Sequence, residues 1–409
     1  MTPRLQLVAV ALLAGLFAWT TLVRTSGADE RAARHFDRAT VERGMRHAFE
    51  RRCMFWADTA AQLVLLAAAV RWGRWLADGC ERACRGRRLP AILLLGAGFF
   101  VCAALVDLPF AAARGWAHPR AWGLTDRSFS SWLVDHGKGL ALAAAMGAVA
   151  LAVLHLLQRR FPRRWWIPAA AGATALSCLM SLVYPIWIAP LFNDFTPLTR
   201  TEHAALEPRV RALAERAGVP FDEIVVMDAS RQGRHTNAFF AGIGGTRTVV
   251  LYDTLLMSHT PDEVESILAH EFGHWRRDHV LKGTLLTAAG VFLVFFLAAL
   301  VLTRAVGRPP LLLRDAADPA ALPLLLLVLW VASWAATPVE SAVSRRFERE
   351  ADRDSIELTG NPDVFVEAQK HLVRDNILDV APPPGWVWMF ASHPTPVERI
   401  EAALAARPR

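Results

Sequence analysis

Polar and apolar positions along the chain fall into long blocks rather than short alternations. Seven stretches are almost wholly apolar: residues 5–23, 55–70, 89–108, 140–157, 165–187, 285–302 and 322–334. Crossing the hydrocarbon of a bilayer takes about 20 mostly apolar residues, so the pattern predicts a polytopic membrane protein. Stretches 55–70 and 322–334 are short or interrupted, which leaves six firm spans and seven as the best count. Residues 5–23 also suit a cleaved signal peptide. A retained span is the better reading, because Arg4 alone makes up the charged start and no small-x-small cleavage site follows cleanly.

The polar blocks predict the rest of the architecture. Residues 24–52 read as one or two surface helices, and residues 193–279 as a water-exposed domain that resumes in the tail, 341–409. A helix is expected around residues 202–217, ended by Gly218 and Pro220. Strand-like runs follow at 223–227, 236–243 and 246–252, the last two joined by Gly244-Gly245, a hairpin signal. The expected fold class is therefore mainly α. A multispanning membrane domain (1–190) precedes a second domain (191–409) that holds a small β hairpin and is interrupted by a two-helix transmembrane hairpin at about 281–341.

Composition sharpens this picture. Hydrophobic residues make up 54% of the 409, and the formal charge is +7. Basic residues cluster beside the spans, at 82–88 and 159–164, where they meet lipid headgroups. No aromatic–basic stripe accompanies them, so membrane lipids are expected partners and nucleic acid is not. The Arg-rich segment 24–52 favours a cytoplasmic polar domain, but residues 71–88 break the same rule, and charge alone leaves orientation open. Lys138, Lys282 and Lys370 are the only lysines; with the abundant Ala, such usage points to a GC-rich, bacterial genome. The odd set Cys53, Cys80, Cys84, Cys102 and Cys178 lacks paired spacing and reads as structural.

The strongest chemical signal is His270-Glu271-Phe272-Gly273-His274. On a helix, positions i and i+4 share a face, so both imidazoles reach one ion. Glu271 projects about 100° round the axis, where a carboxylate can take a proton from water. Thr260-Pro261-Asp262-Glu263 predicts the helix start, with an N-cap Thr, Pro at the first helical position and a Glu that closes a capping box. Zinc suits such a pair but needs a third protein ligand and an open position. The HExxHxxGxxH arrangement is excluded, because Arg277 and Val280 stand where its glycine and third histidine would fall. His279 is out of register with the ligand face and reads as a supporting or interfacial residue. In the tail, Glu348 and Asp352 lie one turn apart on an expected helix: Glu348 can ligate while Asp352 accepts the free N–H of a ligand histidine. Glu350 and Asp354 form a competing pair, and a solvated charged helix is the bland alternative.

Residues 236–240 read as an edge strand beside the zinc helix, where Asn237, Ala238 and Phe239 would contact an extended peptide adding by main-chain hydrogen bonds. An ordinary buried hairpin is the alternative. Arg231, Arg234 and His235 are either contacts for a peptide's C-terminal carboxylate or solvated loop charges.

The chain resembles the integral-membrane zinc metallopeptidases that include the type I CAAX prenyl protease, with the heat-shock membrane proteases as more distant relatives. The resemblance is carried, in order, by residues 190–198, 237–240, 251–255, 270–274 and 348–352, then His393-Pro394 and Arg399-Ile400. It implies Glu348 as third ligand of one Zn2+ in a gluzincin-like domain, with Asp352 behind the ligands. It also implies seven spans around a large intramembrane chamber, and a site facing inward near the cytoplasmic side of the cell membrane, the inner membrane in a bacterium. His393 would donate to the developing oxyanion and Arg399 would hold the tail in place. The expected function is a membrane-embedded zinc metalloendopeptidase, with Glu271 as base. Its substrate would be a peptide or protein, lipidated or membrane-bound, and CAAX processing would be a family capability. A quality-control protease for membrane proteins is the nearest alternative. A non-hydrolytic chaperone or scaffold is the other, and the intact His, Glu, His and distal Glu set argues against it.

Overall fold

The computed structural model describes residues 11–24, 27–241 and 248–407. Four long helices dominate the first half: α1 (Arg38–Ala83), α2 (Arg88–Ala121), α3 (Phe129–Arg160) and α4 (Trp166–Leu191). Asp37 caps α1 by accepting from the Thr40 N–H, and Ser128 caps α3 by accepting from that of Ser131. Leu94, Val101 and Leu105 of α2 and Val149, Val153 and Leu156 of α3 are exposed, a surface suited to lipid tails rather than water. Of the stretch 5–23, residues 5–10 lie outside the described residues, and the rest forms the short apolar helix Ala11–Leu22.

The charged segment before the second stretch folds differently from the expected surface helices. After a short helix, Ala28–Ala33, everything from Arg38 runs straight into α1. No proline interrupts residues 38–83, and the buried turn finds partners in the tail. The Arg52 guanidinium donates to the Asp379 carboxylate at 2.7 Å, with both side chains almost fully buried, and His47 Nδ1 lies 3.0 Å from the Ile377 carbonyl. A Cβ on Gly44 would sit 2.1 Å from the Leu378 carbonyl oxygen, so only glycine allows this crossing. The first helix of the membrane half and the tail are thus joined along one seam.

The polar domain contains β1 (Phe195–Pro197), α5 (Glu207–Ala217), β2 (Glu223–Met227), β3 (Ala238–Ala241), β4 (Thr248–Tyr252), α6 (Asp253–Ser258) and α7 (Pro261–Arg276). The strands form one sheet in the order β1-β2-β4-β3, with β2 and β4 parallel and the other pairs antiparallel. The expected hairpin is present as β3 and β4, although its Gly244-Gly245 turn lies outside the described residues. Helix α5 starts later than expected, with Pro208 in its first turn, and ends at Gly218 in the left-handed conformation. Val210, Leu213, Val249, Leu251, Leu268 and Phe272 fill the core between sheet, α5 and α7.

Two further long helices follow, α8 (His279–Ala305) and α9 (Ala321–Thr359), then α10 (Pro362–Asn376), α11 (Pro384–Phe390) and α12 (Pro396–Ala405). Among the described residues, six helices are long and apolar enough to cross a membrane: α1–α4, α8 and α9. At 1.5 Å per residue the 39 residues of α9 span about 58 Å, nearly twice a ~30 Å hydrocarbon layer. Its polar C-terminal half therefore projects beyond the bilayer, and α7 packs along it.

Candidate metal centre

The sequence specifies α7 tightly. Thr260 accepts from the Glu263 N–H, Glu263 accepts in return from the Thr260 N–H, and Pro261 occupies the first turn. Val264, Leu268 and Phe272 anchor one side in the core, which turns His270 and His274 toward α9. Their Nε2 atoms lie 3.2 Å apart. Glu348 of α9 meets both, with Oε2 3.1 Å from His270 and Oε1 3.4 Å from His274. Among the described residues, these three are the group of His, Cys, Asp or Glu side chains whose ligand atoms converge closely enough to hold an ion. Both His270 and Glu348 are buried.

Each imidazole is backed by its own carboxylate. Asp352 Oδ1 lies 2.8 Å from His270 Nδ1, and Arg399 of α12 donates to both oxygens of Asp352. Behind His274 the chain of contacts is longer. Its Nδ1 is 3.0 Å from Nδ1 of His279, whose Nε2 is 3.2 Å from Glu350 Oε2. With Glu350 ionised, His279 carries its proton on Nε2 and accepts at Nδ1 from His274, which leaves the His274 Nε2 lone pair facing Glu348. His279 also stacks on Phe347, ring centroids 4.2 Å apart. The competing pair is engaged elsewhere: Glu350 with His279 and Arg346, Asp354 with Arg277 through two hydrogen bonds of 2.6 and 2.7 Å.

Burial works against a charged His270, but the hydrogen bonds to Asp352 and Glu348 outweigh it and raise the imidazole to about 9. Glu271 is partly buried, and burial pushes its carboxyl up from the usual range; His270 and His274 oppose that.

Three contacts hold α7 on α9. Ser355 Oγ donates to the Ser266 carbonyl at 2.7 Å, Arg277 clasps Asp354, and between them Gly273 rests on Ala351. A Cβ on Gly273 would lie 3.0 Å from Ala351 Cα and 3.2 Å from its carbonyl oxygen. Gly273→Ala is therefore expected to push the helices apart, at a cost of about 1–3 kcal/mol, and to loosen the metal site more than the fold. Thermal unfolding and metal content of the variant check this; wild-type metal content would refute it.

Comparison with known proteins fits this geometry. Peptidase family M48 is matched over residues 200–407, just over half of the chain and inclusive of both helices that carry the cluster. The chain belongs to peptidase family M48. Residues 22–194 match a second family description, CAAX prenyl protease N-terminal, five membrane helices. This M48 chain is thus an integral, multi-pass membrane protein. Relatives include the uncharacterized metalloprotease YhfN of Bacillus subtilis (strain 168), 32% identical over 69% of this chain and 66% of that one. CAAX prenyl protease 1 of Saccharomyces cerevisiae is 34% identical over 47% of this chain and 42% of its own length. The matched regions thus span no more than two thirds of these relatives. The fold resembles the crystal structure of Ste24p from S. mikatae, with a TM-score of 0.82, 23% identity and 97% of both chains covered.

Membership of M48 implies a metal ion, and the side chains present fit one. Two Nε2 atoms and a carboxylate converge in a buried place, their ligand atoms close enough together to share one ion. His393 reaches the same cluster, its Nε2 3.2 Å from Glu348 Oε2, and its side chain is 55% exposed. Arg345, unremarked in the sequence, sets that position. It donates to the Val387 and Ala391 carbonyls at 2.6 and 2.7 Å, while Ser341 donates to the Met389 carbonyl, which fixes α11 and the start of the loop to His393 on α9. A charged side chain in an otherwise regular helix gave no signal of this.

Strand β3 lies at the sheet edge next to α7. The Tyr252 N–H donates to the Asn237 carbonyl, so the main chain of Asn237 and Phe239 faces β4 while that of Ala238 and Phe240 faces the free edge. The Asn237 side chain turns to that edge and accepts from the Ala238 N–H at 2.9 Å. Arg231 and Arg234 lie in the loop before β3, and His235 is held at 3.1 Å by Asn376.

Proposed function

We propose that the protein is a zinc metalloendopeptidase of the membrane, with His270, His274 and Glu348 as ligands and Glu271 as the proton-transferring base. The convergence of those three side chains from two helices, with Glu271 beside them, carries the reading. The separations of 3.1, 3.2 and 3.4 Å suit tetrahedral zinc, for which bonds of roughly 2.0–2.2 Å place ligand atoms about 3.3–3.5 Å apart. When bound, zinc supplies a Lewis acid that polarises the scissile carbonyl and lowers the pKa of a water toward neutrality.

The protein's own groups do the rest. The Phe240 main chain and the Ala238 carbonyl face the free edge and hold an extended peptide, the Ala238 N–H being taken by Asn237 Oδ1. Glu271 takes a proton from the attacking water and passes it to the leaving amine as the C–N bond breaks. His393, exposed beside Glu348, donates to the oxyanion. Asp352, anchored by Arg399, keeps the His270 Nε2 lone pair directed at the ion. Relatives named CAAX prenyl protease 1 support a substrate that is lipidated or membrane-bound. The resemblance to the membrane CAAX proteases, rather than the charge pattern, supports a site on the cytoplasmic side of the cell membrane.

Purified, detergent-solubilised protein is expected to hold one zinc per chain and to cleave a fluorogenic peptide. Chelator should abolish cleavage and zinc restore it. Protein loaded with stoichiometric zinc that cleaves nothing across a peptide library would overturn the reading.

A further inference from the structure

The loop that carries His393 hangs from α11, and different parts of the chain grip the two ends of that helix. Its C-terminal end is pinned to α9, where Arg345 and Ser341 donate to the Val387, Met389 and Ala391 carbonyls. Its N-terminal end rests on the short apolar helix Ala11–Leu22. Gly385 meets Trp19 so closely that a Cβ there would lie 2.6 Å from Trp19 Cδ2 and 2.7 Å from the Trp19 carbonyl oxygen. One turn on, the Trp388 and Trp19 ring centroids are 5.5 Å apart. Just before α11, the Arg24 guanidinium donates to the Ala381 carbonyl at 3.2 Å and lies 3.6 Å from the Asp379 carboxylate.

The helix Ala11–Leu22 is itself held from behind. Thr20 and Thr21 are buried, and Trp56 of α1 donates from Nε1 to Thr20 Oγ1 at 3.1 Å. Phe55, beside Trp56, meets α11 as well, its ring centroid 5.2 Å from that of Phe390 and 5.7 Å from that of Trp386. A helix that served only as a lipid anchor would need neither a backbone-tight crossing at Gly385 nor a hydroxyl bonded to α1.

His393 depends on this support. Its side chain is more than half exposed, and its contacts are Ser392 of its own loop, with Oγ 2.8 Å from Nδ1, and Glu348. The main chain therefore sets where the ring stands. An oxyanion donor acts only within a few tenths of an ångström of its proper distance. Seven residues at 1.5 Å each make α11 a rigid lever of about 10 Å. Arg345 and Ser341 form the pivot at one end, and Trp19 stops the other.

We infer that the helix Ala11–Leu22 is a positioning element of the active site: by seating Gly385 on Trp19 it fixes the tilt of α11, and through it the place of His393. Trp19 and Gly385 are positioning residues, acting through His393 rather than on the ion or the peptide. The inference rests on the reading of His393 as oxyanion donor.

The test measures kcat and KM of the zinc-loaded full-length protein for Gly385→Ala and Trp19→Ala, each alone and combined with His393→Ala. Misplacing a catalytic group by about 1 Å costs up to about 10^2-fold, so each single variant is expected to lower kcat about tenfold, with KM within about twofold and zinc content unchanged. In the His393→Ala background the same substitutions should lower kcat by less than about twofold, because the group they misplace is gone. Trp19→Phe, which keeps a ring against Trp388, should restore most of the kcat lost in Trp19→Ala; this pair carries the test if Gly385→Ala does not fold. Wild-type kcat in the single variants, or a loss of equal size in both backgrounds, overturns the inference and leaves the peptidase reading intact. Wild-type kcat in His393→Ala removes the oxyanion role and the inference with it, while zinc-dependent cleavage stands. Absence of cleavage by the wild type overturns both readings.

Discussion

Glu271→Gln is expected to keep its zinc and lose peptide hydrolysis by on the order of 10^3-fold, within the 10^2–10^4 range of general acid–base catalysis. The substitution preserves shape and removes only the ability to take a proton. Glu271 is not among the three converging side chains, and the contacts of α7 with α9 do not involve it, so its replacement leaves the proposed metal site intact. Metal analysis and cleavage of a reporter peptide, measured on the same preparation, separate the two effects. Turnover within tenfold of wild type would remove Glu271 as the base. Retained binding of substrate by this variant also makes it the reagent for finding physiological substrates, which should accumulate uncleaved.

Glu348→Ala should instead release the metal. The carboxylate meets both imidazoles, and without it only two neutral nitrogens remain, a poor site for a divalent cation. Glu350→Ala, two residues away on the same helix, is the informative control. Glu350 bonds His279 rather than the ligand cluster, so its removal should weaken affinity by about 10–100-fold while the site still fills at saturating zinc. Competition with a chromogenic chelator measures both. A Glu348→Ala protein that retains stoichiometric zinc while Glu350→Ala cannot bind it would assign the third ligand wrongly.

Much of this was legible in the sequence because the relevant signals are local. Apolar blocks announce helices that cross a bilayer, and Thr260-Pro261-Asp262-Glu263 announces α7, since capping depends on residues three apart. Glu348 against Glu350 is a different matter. Both are glutamates on one charged helix, and choosing between them from the residues alone requires the rotation of α9 about α7. That rotation is set by Gly273 on Ala351 and by the Arg277–Asp354 pair, contacts between segments far apart in the chain. The long helices were underestimated for a related reason: hydropathy marks where a helix meets lipid, not where it ends. Charged residues 38–52 and 341–359 continue the helices of the adjoining spans and stay ordered through partners elsewhere, such as Asp379 for Arg52. Arg345 and Asn376 were invisible because each acts on main-chain groups of a distant loop, which leaves no motif behind.

The helix pair α8 and α9 separates His274 from Glu348, and this has a consequence for biogenesis. A nascent chain that has just emitted α7 carries His270, Glu271 and His274 but lacks Glu348, which meets both imidazoles only once α9 is made. Only when both arms of the hairpin have threaded the lipid does α9 return its far end to α7. The convergence of the three side chains therefore waits on the return of α9 beside α7.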